Sequence, residues 1–229
     1  MLSGSRGIST KIIGISASPR GSKSQTLKLV QAALEGAKSA GAQTELVDVC
    51  NLKIEFCNAC QVCFKTGSCS KKDDFQGLYD RMLSSDGMIL GSPNYFRSVT
   101  AQMKTLIDRM ADAVHCQLFT GKYCCNVASA GHGYEQVTDY LNGIMINFGA
   151  FVTGSTGASM SEGPQAVEEA EKKAFQLGKS LAEDIKGKRD YISQREMQEE
   201  NRQYFMNLVK RNKAEWEHEY EYWNKLNWK

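Results

Sequence analysis

The sequence predicts an α/β fold, a doubly wound five-stranded parallel sheet with helices on both faces. Two observations predict it. Five short apolar runs alternate with five segments of helical character, which is the pattern of strands joined by crossover helices. Several of the runs also end in loops rich in Ser, Pro or Gly, and in such a sheet the ligand sits beyond the carboxyl ends of the strands.

The elements follow in order. Lys11–Ser18 is a short apolar run ending in small residues and reads as a buried strand. A helix is expected over Ser24–Ala40, where Leu27, Val30, Leu34 and Ala37 share one face. Gln43–Val49 alternates and reads as the second strand. A cysteine-rich loop, residues 50–72, separates it from a helix over Asp73–Ser85, whose acidic start suits the helix dipole. Asp86–Pro93 is the third strand and Gln102–His115 the next helix. Lys122–Ala130 is the fourth strand, Tyr134–Phe148 a helix and Ala150–Ser159 the fifth strand. Pro164–Lys186 closes the domain as a long helix with Pro at a permitted first-turn position. The expected organisation is a loose tail over residues 1–10, a domain over 11–189, and a polar helical extension over 190–229. That extension ends in Trp216, Tyr220, Tyr222, Trp223 and Trp228, expected to clamp a neighbouring protomer.

Composition narrows the function classes. With 229 residues and 41% hydrophobic content, the chain can bury one full core. A net charge of +2 argues against nucleic-acid binding driven by bulk electrostatics. No apolar run approaches a membrane span, and the first ten residues lack the apolar core of a secretory signal. The expected location is the cytoplasm, that of an anaerobe if a labile cluster is held.

The chemistry is announced by Cys57, Cys60, Cys63 and Cys69, spaced C-x2-C-x2-C-x5-C within thirteen residues. Thiols at intervals of three can wrap one small object, and Gly67 supplies a turn that lets the fourth close the cage. Cys thiolates hold iron–sulfur clusters in this way. Zinc, a transient disulfide or free thiols are the competing readings. Zinc usually draws together two separated knuckles, and here there is one. Cys50, Cys116, Cys124 and Cys125 fall in or beside expected strands and helices and are assigned to packing.

Three strand-end loops are candidates for a ligand. The first, residues 16–26, matches neither Gly-rich nucleotide motif but carries five hydroxyls and Arg20 ahead of a helix. A helix cap needs one hydroxyl; the surplus suits a phosphate. The second, residues 91–100, places Tyr95 and Phe96 beside Pro93 and Asn94, which suits a flat ring system. The third, residues 129–134, offers small residues that let backbone approach a ligand. His115 is assigned to a helix end as a dipole partner; His132, in the third loop, reads equally as a neighbour of the ligand or as a solvent-facing residue; Asp108–Arg109 could reach the ligand region, but a helix-surface ion pair is the simpler account.

These motifs together resemble the flavodoxin-like NAD(P)H-dependent FMN reductase superfamily, and within it the iron–sulfur flavoproteins. The resemblance covers about residues 10–187 and rests on Ser18-Pro19-Arg20 with Ser24-Gln25-Thr26, on Ser92-Pro93-Asn94-Tyr95-Phe96 with Met103-Lys104 and Asp108-Arg109, and on the cysteine run. One departure is Gln25, where the family usually has Asn. The resemblance implies a flavodoxin-like sheet of order 2-1-3-4-5 with FMN at its edge. Ser16, Ser18, Arg20, Ser24, Gln25 and Thr26 would bind phosphate and ribityl. Pro93, Asn94, Tyr95, Phe96, Ser129, Ala130 and Gly131 would line the isoalloxazine. The four clustered cysteines would hold a 4Fe–4S cluster, and no side chain is nominated as acid or base. NAD(P)H or a ferredoxin-like protein would donate electrons, a small molecule could accept them, and the chain would form a homodimer or homotetramer. The alternatives are a cluster-free NAD(P)H-dependent FMN or quinone reductase and a zinc-stabilised, non-enzymatic interaction module.

Overall fold

The computed structural model describes residues 10–229. The tail expected over residues 1–10 lies outside these, apart from Thr10, whose carbonyl accepts from Gln43 N at 2.8 Å.

The five strands are β1 (Lys11–Ser16), β2 (Gln43–Asp48), β3 (Gly87–Pro93), β4 (Tyr123–Ala130) and β5 (Phe151–Ser159). All pairings are parallel and the order is β2-β1-β3-β4-β5. Residue alternation sends Met88 and Leu90 to one face and Ile89 to the other, and both faces are covered. On one side lie α1 (Gln25–Ser39) and α7 (Pro164–Gly187). They cross at Gly36 and Gly178; a Cβ on Gly178 would stand 1.8 Å from Ala33 O, so the approach is backbone on backbone. On the other side lie α3 (Phe75–Ser84), α4 (Ala101–Asp108), α5 (Ala111–His115) and α6 (Glu135–Asn147).

Three features depart from expectation. A short helix, α2 (Val62–Thr66), forms inside the cysteine loop. The helix expected over Gln102–His115 breaks into α4 and α5 at Arg109 and Met110, and the break turns both side chains inward, leaving them 3% and 1% exposed. The extension forms two helices, α8 (Ile192–Arg211) and α9 (Glu217–Lys225). Two of the five aromatics expected at an interface are covered within the chain, while Tyr220, Tyr222 and Trp228 stay half-buried. Trp216 and Trp223 are buried with Met206 and Val209, and Phe64 of α2 packs against them. The physical reason is local: Phe64 and His115 offer rings 4.8 and 4.7 Å from Trp216, so the extension folds back over the cysteine loop of its own chain. Among the described residues, no helix is long and apolar enough to cross a membrane.

Candidate functional site

The order of the sheet brings the ends of β1, β3 and β4 side by side, and with them the three candidate loops. Ser16 is level with Gly91, and Pro93 with Ser129. Hydrogen bonds then lock the loops together. Ala17 N donates to Gly91 O (2.9 Å), Thr100 Oγ1 to Ala17 O (2.8 Å) and Asn94 N to Ser129 O (2.7 Å). Asn94 Nδ2 donates to Gly133 O at 2.7 Å.

A cavity of about 580 Å³ opens where these loops meet, well within the range of cofactor sites. From the first loop it is lined by Ser18, Arg20, Ser24 and Gln25; from the second by Pro93, Asn94, Tyr95 and Phe96; from the third by Ser129, Ala130 and Gly131. Met160, after β5, also lines it. Nothing in the sequence around Met160 signalled a ligand, and only the pairing of β5 with β4 brings it there. Two expected contacts sit deeper. Thr26 is fully buried and its Oγ1 lies 2.6 Å from Ser129 Oγ, so it ties two loops together rather than facing the cavity. Ser16 is buried with its Oγ unpartnered.

The cavity fits a phosphorylated flat ring. Ser24 caps α1 by accepting from Leu27 N at 3.1 Å, so the remaining amides of that N-terminus stay available to an anion. Gln25 Oε1 is buried without a partner, and an orphaned polar atom in a cavity wall asks for a ligand or water. At the other end, Tyr95 pairs with Ser98, Tyr95 N donating to Ser98 O (2.9 Å) and Ser98 N to Tyr95 O (3.1 Å), and Phe96 and Arg97 form the tip of the two-residue turn between them. Phe96 and Arg97 both have positive φ, 52° and 65°, a conformation that costs energy for side chains of this size. Phe96 is fully exposed.

The second site is the cysteine loop. Its backbone is also unusual: Ala59 and Gln61 have φ of 55° and 59°, and Gly67 of 77°. Cys57, Cys60, Cys63 and Cys69 all face one void of about 200 Å³. Among the described residues, no three His, Cys, Asp or Glu side chains close on a single-ion point. Four thiols around a space larger than one ion suit a multi-atom cluster. The backbone prepares them unequally. Cys57 Sγ accepts from Ala59 N at 3.4 Å. Ser70, beside Cys60, lowers that exposed thiol's pKa. Burial, reinforced by Asp112 and Glu219, pushes the Cys63 thiol up to about 12, so a metal must drive its proton off, as coordination does.

Arg109 is the largest surprise. The surface pair expected of Asp108 and Arg109 does not form. Asp108 instead pairs with Lys104 on the helix surface. Arg109 turns inward to Asp73, with both side chains 1% exposed. His115 is likewise more than a helix-end residue: its Nδ1 lies 3.0 Å from Glu219 Oε2, and its ring stacks on Trp216. Cys116, Cys124 and Cys125 are buried in the core, while Cys50 is half-buried at a turn.

The family model for NADPH-dependent FMN reductase matches residues 10–165. An iron–sulfur flavoprotein of Archaeoglobus fulgidus is 37% identical over 181 residues, covering 78% of this chain and 81% of that one. One of Methanocaldococcus jannaschii is 31% identical, covering 77% and 97%. Among solved structures, an NAD(P)H:quinone oxidoreductase of Methanothermobacter marburgensis superposes with a TM-score of 0.60 at 20% identity, over 76% of this chain and 97% of that one. A flavone reductase gives 0.58 at 22% identity, over 77% and 63%. These two structural likenesses speak to the fold.

Proposed function

The chain belongs to the NADPH-dependent FMN reductase family and, within it, to the iron–sulfur flavoproteins; on that premise we propose that it carries electrons between a reduced donor and an acceptor, using FMN in the strand-end cavity and a 4Fe–4S cluster in the cysteine loop. The observation that carries the pairing is that four thiols of one run face one void, in a chain whose strand-end cavity fits a phosphorylated ring.

When bound, FMN exchanges electrons singly or in pairs and the cluster singly, so together they join two-electron to one-electron chemistry. The protein's part is binding and orientation. Ser18, Arg20, Ser24 and the α1 amides would hold the phosphate, and Gln25 the ribityl chain. Pro93, Asn94, Tyr95, Phe96, Ser129, Ala130, Gly131 and Met160 would bound the ring. Thr26 and Ser16 support that wall from beneath, Thr26 through Ser129. Cys57, Cys60, Cys63 and Cys69 would be the metal ligands. No acid or base is required of any side chain. The donor is NAD(P)H or a ferredoxin-like protein, the acceptor a small molecule or a redox partner, and the working form a homodimer or homotetramer in the cytoplasm.

Cys63→Ala tests the two-site reading. It should remove iron and leave FMN bound, because the cavities are lined by different residues. Unchanged iron in that variant would contradict the ligand assignment. Zinc without flavin would favour an interaction module instead.

A further inference from the structure

Arg109 lies at the point where both ends of the cysteine loop return to the body of the protein. Its Nη1 donates to Glu55 O at 2.8 Å, two residues before Cys57. The same nitrogen, with Nη2, reaches both carboxylate oxygens of Asp73 at 2.8 and 3.2 Å, four residues after Cys69. Nη2 also donates to Cys69 Sγ at 3.1 Å. Beneath it the ring of Phe75 lies 4.4 Å from the guanidinium carbon. The whole residue is 3% exposed, and Nε is buried without any partner.

A buried cation usually needs one carboxylate and satisfied donors. Asp73 already supplies that charge, so neutralising Arg109 does not explain why it spends a donor on a sulfur. The planar fork can hold Asp73, the Glu55 carbonyl and the sulfur at once; the single ammonium of Lys cannot reproduce that set. Resting on the cluster reading above, we propose that Arg109 is the positioning residue of the cysteine centre: it fixes Cys69 and, through the N–H···S bond and its positive charge, raises the reduction potential of the cluster. A cation donating to a ligand sulfur favours the state with more negative charge. For a cluster gaining one electron, that is the reduced state, and hydrogen bonds to the sulfurs together with local charge are the levers that set such potentials.

Asp73 supplies a control of opposite sign. It is neutralising charge for Arg109, and it does not touch the sulfur. Arg109→Gln should therefore lower the cluster potential, and Asp73→Asn should raise it. Each should shift the one-electron equilibrium at least tenfold, which is 59 mV. Because Arg109→Gln leaves the buried Asp73 carboxylate without its cation, held only by the amides of Glu55 and Phe75, the neutral pair Arg109→Gln with Asp73→Asn keeps the fold testable. It should lie below the wild type, since the lost cation stood nearer the sulfur than the lost carboxylate.

The measurement is an anaerobic potentiometric titration followed by EPR on each variant, with iron, sulfide and FMN counted alongside. A lowered potential in Arg109→Gln together with a raised one in Asp73→Asn supports the proposal, and the reverse pair of shifts overturns it. Potentials that do not move, or that move in one direction together, overturn it. Loss of iron from all three variants with FMN retained would leave Arg109 only its hold on Cys69 and would overturn its effect on the potential. The wild type separates the two levels of inference. An iron-free wild type removes the cluster reading and this proposal with it, whereas a loaded wild type with unmoved variants removes this proposal alone.

Discussion

Arg20 and Asp112 show what single residues do at the two sites. Arg20 is exposed on the rim of the strand-end cavity, beyond the buried hydroxyls of Ser18 and Ser24. A charge-assisted bond to phosphate is worth about 1.5–3 kcal/mol. Arg20→Ala should therefore weaken FMN binding roughly ten- to a hundredfold, measured by fluorescence titration of flavin-free protein, with the fold unchanged. Asp112 sits behind the cysteine loop and accepts from Tyr79 Oη at 3.1 Å. Burial raises its pKa to about 6, above the ~3.9 of an unfolded Asp. A raised pKa means that the folded state holds the proton more tightly. The stability it lends is full below about pH 4 and is lost as pH rises through about 6, a span of roughly 3 kcal/mol. Asp112→Asn should flatten the pH dependence of chemical denaturation between pH 4 and 6. A dependence as steep as the wild type's would show that another group titrates there.

Some of this was legible at the residue level and some was not. That Ser18, Arg20 and Ser24 line one cavity was readable because they are close neighbours in sequence. Arg109 was not. Lys104 and Asp108 four residues apart read as a surface stripe, and nothing local says that the next residue turns inward to partners 36 and 40 positions away.

At the scale of elements, apolar runs such as β1 and β4 announced themselves because both faces of the sheet are buried. The break between α4 and α5 did not, since no Pro or Gly marks it; tertiary contacts of Arg109 and Met110 accompany it. The C-terminal extension gave its composition but not its destination. Trp216, at the head of α9, rests on Phe64 and His115, and α9 packs against α2, which carries Cys63. Trp216→Ala removes that packing. It should cost about 3–5 kcal/mol and should speed loss of iron in air, while α1 and the FMN cavity stay intact. Thermal melts with and without added FMN check the first expectation, and iron release on exposure to oxygen checks the second.

At the scale of the whole molecule, the parallel sheet gathers the three cavity loops at the ends of β1, β3 and β4, and its edge strand β2 leads into the cysteine loop. The order of strands could not be read from the run of elements alone; it came from the resemblance carried by three motifs, and the sheet has that order. One chain is proposed to hold both an electron-pair carrier and a single-electron carrier. The most direct measurement is iron, acid-labile sulfide, zinc and FMN per chain in protein purified without oxygen. About four irons and four sulfides for each FMN are expected, with zinc at trace levels. FMN without iron or sulfide would contradict the claim, leaving a two-electron reductase whose cysteine loop is structural.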